Sequence, residues 1–188
     1  LVIGYAFGIF QTSFVYGKAH GIDIREHGSG NSGTTNTLRV LGWKAGAVTF
    51  AGDLLKAIIA VLLVHFIFKD KYPEAIKILE LYAGFGTVLG HNFPFFLKFK
   101  GGKGIACTAG VMLAAAVLGL VIPSVEYGGK YGIIITVVGI FVGALCLNLI
   151  DKLVPHLHKL VGVDGESHNN ANLSKVLLFV LAIAIHNI

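Results

Sequence analysis

Residues 46–68 read GAVTFAGDLLKAIIAVLLVHFIF, an apolar run longer than the ~20 residues a helix needs to cross a bilayer core. A buried helix of a soluble domain seldom stays apolar on every face for that length. Further apolar runs flank it at residues 1–16, 77–93, 105–122, 131–150 and 173–188. The expected architecture is all-α: a polytopic integral membrane protein with about six transmembrane helices. The first and last runs are shorter than a full span and read as truncated helices.

Composition agrees. Of 188 residues, 55% are hydrophobic and only 13% charged, with a mean hydropathy of +0.77. Soluble domains carry about 25% charged residues. The formal charge of +5 comes from lysines and arginines placed in short loops, with no basic tail. That distribution fits membrane topology and an anionic ligand, and it speaks against nucleic acid as a partner. Lys18, Arg25, Arg39 and Lys44 lie in loop 17–45, and Lys98, Lys100 and Lys103 in loop 94–104. Positive-inside bias puts those loops, with loop 151–172, on the cytoplasmic side of a multi-pass cell-membrane protein. Cys107 and Cys146 stand in apolar runs as small buried residues rather than as a disulfide framework.

Two loops carry chemistry. The first is Gly28-Ser29-Gly30-Asn31-Ser32-Gly33-Thr34-Thr35-Asn36-Thr37-Leu38-Arg39. Its glycines allow backbone N–H groups to turn inward as an anion nest, and Arg39, expected at a helix start, adds a fork suited to a phosphate or carboxylate. The second is Gly90-His91-Asn92-Phe93-Pro94, followed by Phe99-Lys100-Gly101-Gly102-Lys103-Gly104. Its bare glycine donors and ammonium groups precede an apolar helix, whose N-terminus attracts anions. The spacing is not that of a nucleotide P-loop. His91 is open to three roles: general base, phosphate donor or helix-end hydrogen bonder. Asp53 and Lys56 share a helix face inside a span and can pair, either as a structural ion pair or as part of a polar cavity.

These motifs, in this order, closely resemble the acyl-phosphate:glycerol-3-phosphate acyltransferase family, over about residues 1–110. The lead-in at residues 21–27 and the Asp53…Lys56 pair are similar as well. The resemblance implies transfer of an acyl chain from acyl phosphate to the 1-hydroxyl of glycerol 3-phosphate, giving lysophosphatidic acid and phosphate. It implies no cofactor and no metal; the partners are those two substrates and membrane lipid. His91, Ser29 and Lys103 are the candidate catalytic residues. Gly28, Gly30, Asn31, Gly33, Thr35, Asn36 and Arg39 would bind substrate from the first loop, and Lys100, Gly101, Gly102 and Gly104 from the second.

Past Gly110 the family's third motif, an Arg-Tyr-Val-Ser-like stretch, is missing. Residues 109–126 and 151–158, with the closing His186-Asn187-Ile188, resemble part of a ZIP-type divalent metal transporter. His156, His158 and His168 share one polar loop there. The expected organisation is therefore chimeric: acyltransferase-like helices over 1–108 and transporter-like helices over 109–188. A zinc-transporter fragment or an inactive helical bundle is the alternative to the enzyme.

Overall fold

The computed structural model describes residues 1–153, and all regular structure there is helical. Eight α-helices follow in order: α1 (Val2–Gly8), α2 (Thr12–Ala19), α3 (Thr34–Leu41), α4 (Trp43–Phe68), α5 (Ile76–Asn92), α6 (Ile105–Ala116), α7 (Ile122–Tyr127) and α8 (Gly132–Leu153). Three stretches are long and apolar enough to cross a membrane: Trp43–Phe68, Ile105–Tyr127 and Gly129–Ile150. The chain is an integral membrane protein, all-helical over the described residues. It divides into two compact units, Leu1–Ile133 and Ile134–Ile188. The expected span 173–188 lies outside the described residues, as do His156, His158, His168, His186 and Asn187.

In the first unit the usual distribution of residues is reversed. Small residues pack inside, among them Ala45, Ala57, Ala60 and Ala83, while Trp43, Phe66, Leu81, Ile105 and Met112 face outward. Lipid tails are as apolar as leucine, so such helices associate through close backbone approach rather than by hiding large side chains. α1 and α5 show how. Gly4 and Gly8 lie on Ala83, Thr87 and Gly90, and Gly86 and Gly90 lie on Leu1 and Tyr5. A Cβ at Gly8 or Gly90 would strike backbone of the other helix. At the opposite end of α4 and α5, His65 Nδ1 and Glu80 Oε1 pair at 2.6 Å.

The run 1–16 is not one helix. It breaks between α1 and α2, where Gln11 is extended with φ −100° and ψ 96°. No proline marks the break; its partners do. Lys56 of α4 donates to the carbonyls of Gly8 and Phe10, and Gln11 Nε2 donates to the carbonyl of His91 at 2.8 Å. Backbone groups released inside a membrane need such partners, because hydrocarbon offers none.

Two further expectations change. Residues 123–130 are not an open connection: a π-helical segment, Val117–Val121, leads into α7 and keeps the chain helical to Tyr127. Pro123 stands directly after that π-helical segment inside a helix continuous over Ile105–Tyr127, and a π-bulge is a place where the hydrogen-bond ladder is already shifted beside a residue without an N–H. Arg39 stands in the last turn of α3, not at a helix start. Gly42, with φ 87°, then turns the chain into α4.

The lead-in to the first loop is an ion-pair turn. Asp23 accepts from Arg25 Nη2 at 2.8 Å and Nε at 3.0 Å, and Lys18 lies 3.4 Å away. Arg25 also donates to the carbonyl of Leu97 at 3.4 Å, joining the two loops. The guanidinium's hydrogen bonds hold the Asp23 carboxyl well below the usual carboxylate range, against the opposing pull of burial. Asp23 in turn raises Arg25. A carboxyl lowered in the native state adds stability above its unfolded value of about 3.9, and that stability is lost as pH falls from there toward the native value. Melting curves from about pH 6 down to about pH 2 should therefore show an acid loss in the parent that Asp23→Asn lacks. An unchanged acid profile in Asp23→Asn would remove the turn from the account.

Candidate active site

A cavity of about 430 Å³ opens where the two loops meet α4 and α5. That volume suits a small molecule. From the first loop, Ser29, Asn31, Gly33, Thr35, Asn36 and Arg39 line it. From the second come His91, Lys103 and Gly104. Thr34, Phe50, Asp53, Ile105 and Ala106 complete the wall.

Two helix N-termini converge here. α3 starts after Gly33 and α6 after Gly104; neither has a side-chain cap or an acidic residue in its first turn. Their first N–H groups and the positive ends of their dipoles remain uncompensated by their own side chains. Arg39 and Lys103 add full positive charge. Asp53 is the acid of the wall, and Lys56 Nζ sits 2.9 Å from its Oδ1. The wall is thus built for an anion, and phosphate is the anion such helix ends hold best.

The N–H groups expected to form the nest are used differently. Gly30 N–H donates to His27 O at 3.1 Å, Gly33 N–H to Asn31 O at 3.0 Å and Ser29 N–H to Asn36 Oδ1 at 2.8 Å. Asn36 is fully buried, and its amide nitrogen donates to Ile24 O and His27 O at 3.0 Å each. Its hydrogen-bonding capacity goes into holding the loop closed. Gly28 backs directly onto that amide, so a side chain there would displace it. In the second loop, Gly101 N–H and Gly102 N–H donate to Asn92 O and His91 O at 3.1 Å each, which caps the end of α5. Gly101 and Gly102 therefore shape the wall behind the cavity. Lys100 is exposed, with its N–H on Leu97 O at 3.2 Å.

Beneath the cavity lies a buried polar cluster. Lys56 Nζ is 2.9 Å from His91 Nδ1 as well as from Asp53 Oδ1, and Thr12 Oγ1 donates to Asp53 Oδ1 at 3.2 Å. His91 Nδ1 is 3.6 Å from that same oxygen. On its other edge, His91 Nε2 lies against Gly102. Sequence reading saw the Asp53–Lys56 pair but missed that His91 completes it. The signal was faint: a histidine near the end of another span, with nothing local to tie it to Asp53.

The first 133 residues hold all of this, and similarity to known proteins runs further. The family profile described as "Glycerol-3-phosphate acyltransferase" matches residues 1–186. The chain belongs to the glycerol-3-phosphate acyltransferase family. The match runs on through residues 109–186, where the sequence alone led us to expect transporter-like helices. Among curated members, the glycerol-3-phosphate acyltransferase of Alkaliphilus metalliredigens is 48% identical over 119 residues, 63% of this chain and 57% of that protein. The one from Bacillus subtilis is also 48% identical over 119 residues, 58% of its length. The chain thus spans somewhat over half the length of these family members. A crystal structure of PlsY (YgiH), an integral membrane glycerol 3-phosphate acyltransferase, in its glycerol 3-phosphate form superposes with a TM-score of 0.53. It is 27% identical and covers 92% of this chain and 96% of that one. A lysophosphatidic acid form of PlsY gives 0.52 at 30% identity, over 78% and 74% of the two chains.

Proposed function

We propose that this protein transfers an acyl chain from acyl phosphate to the 1-hydroxyl of glycerol 3-phosphate. The observation that carries the reading is the phosphate-suited cavity, together with an apolar groove on other residues of α4. The groove, about 470 Å³, runs between α1 and α4 and is lined by Ala6, Phe7, Phe10, Gly52, Leu55 and Ile59, with Lys56 at its polar end. Both substrates carry phosphate and one carries a long apolar chain, so the pair of spaces matches the pair of chemistries. Membrane lipid supplies the surroundings into which the product passes.

In the reaction the hydroxyl oxygen bonds to the acyl carbon and the bond from that carbon to the phosphate oxygen breaks. The hydroxyl proton leaves with the phosphate, which balances the step. Acyl phosphate is already activated, so orientation and charge stabilisation carry the catalysis. Arg39, Lys103 and the starts of α3 and α6 hold the phosphates. Ser29, Asn31 and Thr35 orient them with neutral hydrogen bonds. His91 faces Lys56 with Nδ1 and so serves better as a donor at the cavity floor than as the base that takes the proton. Loops 17–45 and 94–104 lie on the cytoplasmic face of the cell membrane, where their lysines and arginines belong.

The test is phosphate release by purified protein in lipid, with palmitoyl phosphate and glycerol 3-phosphate. Release that depends on glycerol 3-phosphate is the expected result, with Lys103→Ala lowering it by about 10²-fold. Parent protein that releases no phosphate, or releases it without need of glycerol 3-phosphate, overturns the reading.

A further inference from the structure

Behind the cavity, three ligand-type side chains converge. One ligand atom each from Asp53, His91 and Cys107 lie within 4.8 Å of one another, and all three residues are buried. A carboxylate, an imidazole and a thiol together form a donor set that zinc-class ions favour. Yet a cation already stands there. The ammonium of Lys56 is 2.9 Å from Asp53 Oδ1 and 2.9 Å from His91 Nδ1. Lys56 is only 5% exposed, and its third hydrogen is shared between the Gly8 and Phe10 carbonyls at the break between α1 and α2. It is anchored at the cluster, not reaching through it to solvent.

We infer that Lys56 is a built-in cation on the Asp53 and His91 arms of an Asp53–His91–Cys107 cluster, keeping divalent metal out and holding His91 with its ring hydrogen on Nε2. An ammonium has hydrogens to donate and no lone pair to offer, so the Nδ1 that faces it must accept. The hydrogen of a neutral ring then sits on Nε2, the edge toward Gly102. Lys56 is therefore a positioning residue for His91. It also decides the chemistry of the cluster. With the ammonium present, a divalent ion would meet a like charge at hydrogen-bond range. Without it, the same three side chains face a space whose carboxylate lacks a counter-charge. An ion entering the cavity reaches Asp53 and His91, which line it. None of this depends on acyl transfer, so it can fail or stand apart from the proposed activity.

Cobalt titration of the purified full chain tests it, because a cobalt–thiolate bond gives its own charge-transfer absorption. The parent protein should show no such band. Lys56→Ala should show it, and adding Cys107→Ala to Lys56→Ala should abolish it. A thiolate band in the parent, or none in a folded Lys56→Ala protein, overturns the inference. If Lys56→Ala does not fold with or without cobalt, nitrogen NMR of the parent decides, with histidine labelled and His91 assigned by its loss in His91→Gln. A hydrogen-free Nδ1 supports the inference, and a hydrogen on Nδ1 overturns it.

Discussion

Gly102→Ala should leave a protein that is folded but nearly inactive. The backbone of Gly102 has no need of glycine's left-handed conformations. The difficulty is space: an added Cβ would land on His91 Nε2 and on the carbonyl of Ser32. Neither neighbour can yield. The His91 ring is held from behind by Lys56 at 2.9 Å, and Ser32 is fully buried with its hydroxyl 2.6 Å from that of Ser13. Overpacking of this kind costs about 1–3 kcal/mol. The larger effect is on turnover, since shifting a site group by about 1 Å can cost on the order of 10²-fold. Gly139→Ala is the control, because nothing lies within 4 Å of a Cβ there. Melting temperature and glycerol 3-phosphate-dependent phosphate release, measured on both variants, separate the two effects. Near-parental turnover in Gly102→Ala would mean that His91 does not form the floor of the working site.

The second large effect is expected at the Asp53–Lys56 pair. Lys56→Met removes one partner of a buried ion pair and leaves the Asp53 carboxylate, 1% exposed, without its counter-charge. It also strips the Gly8 and Phe10 carbonyls of a donor. Breaking such a pair costs about 3–5 kcal/mol. Adding Asp53→Asn to Lys56→Met should return part of that loss, because a neutral amide is far cheaper to bury than an unpaired carboxylate. The double-mutant cycle should show a coupling of about 0.5–3 kcal/mol between contacting residues. Additive losses would sink the idea that these two side chains act as one unit. Melting in the lipid used for the activity assay provides all four corners of the cycle.

Asp53 and Lys56 show both the reach and the boundary of sequence reading. Their spacing of three on a helix implied a shared face, and the structure pairs them. That they also grip His91 and the broken first run is a matter of contacts between helices. The two loops were legible as the segments that wall the cavity, because glycine, lysine and arginine gather there against an otherwise apolar background. The use made of each N–H was not. Asn36 reads as a ligand in one dimension, yet its amide bonds its own loop. Gly101 and Gly102 read as bare donors, yet they cap α5. A loop's composition says that donors are available; only its closed path says which carbonyl is near enough to take them.

By itself, then, the sequence determined the membrane class, the helical content, the places where chain leaves the apolar runs and the family to which the motifs point. These are additive, local properties: hydropathy sums along a run, and a motif needs only its own residues. Tertiary structure alone decided that the first run breaks at Gln11, that Gly4 and Gly8 meet Ala83, Thr87 and Gly90, and that His91 shares Lys56 with Asp53. Each of those depends on residues distant in the chain; Gln11 and the His91 carbonyl it holds are 80 positions apart. Inside a membrane a freed carbonyl or a buried charge has no water to turn to, so its partner must come from another helix. Which helix arrives, and at what depth, is set by packing.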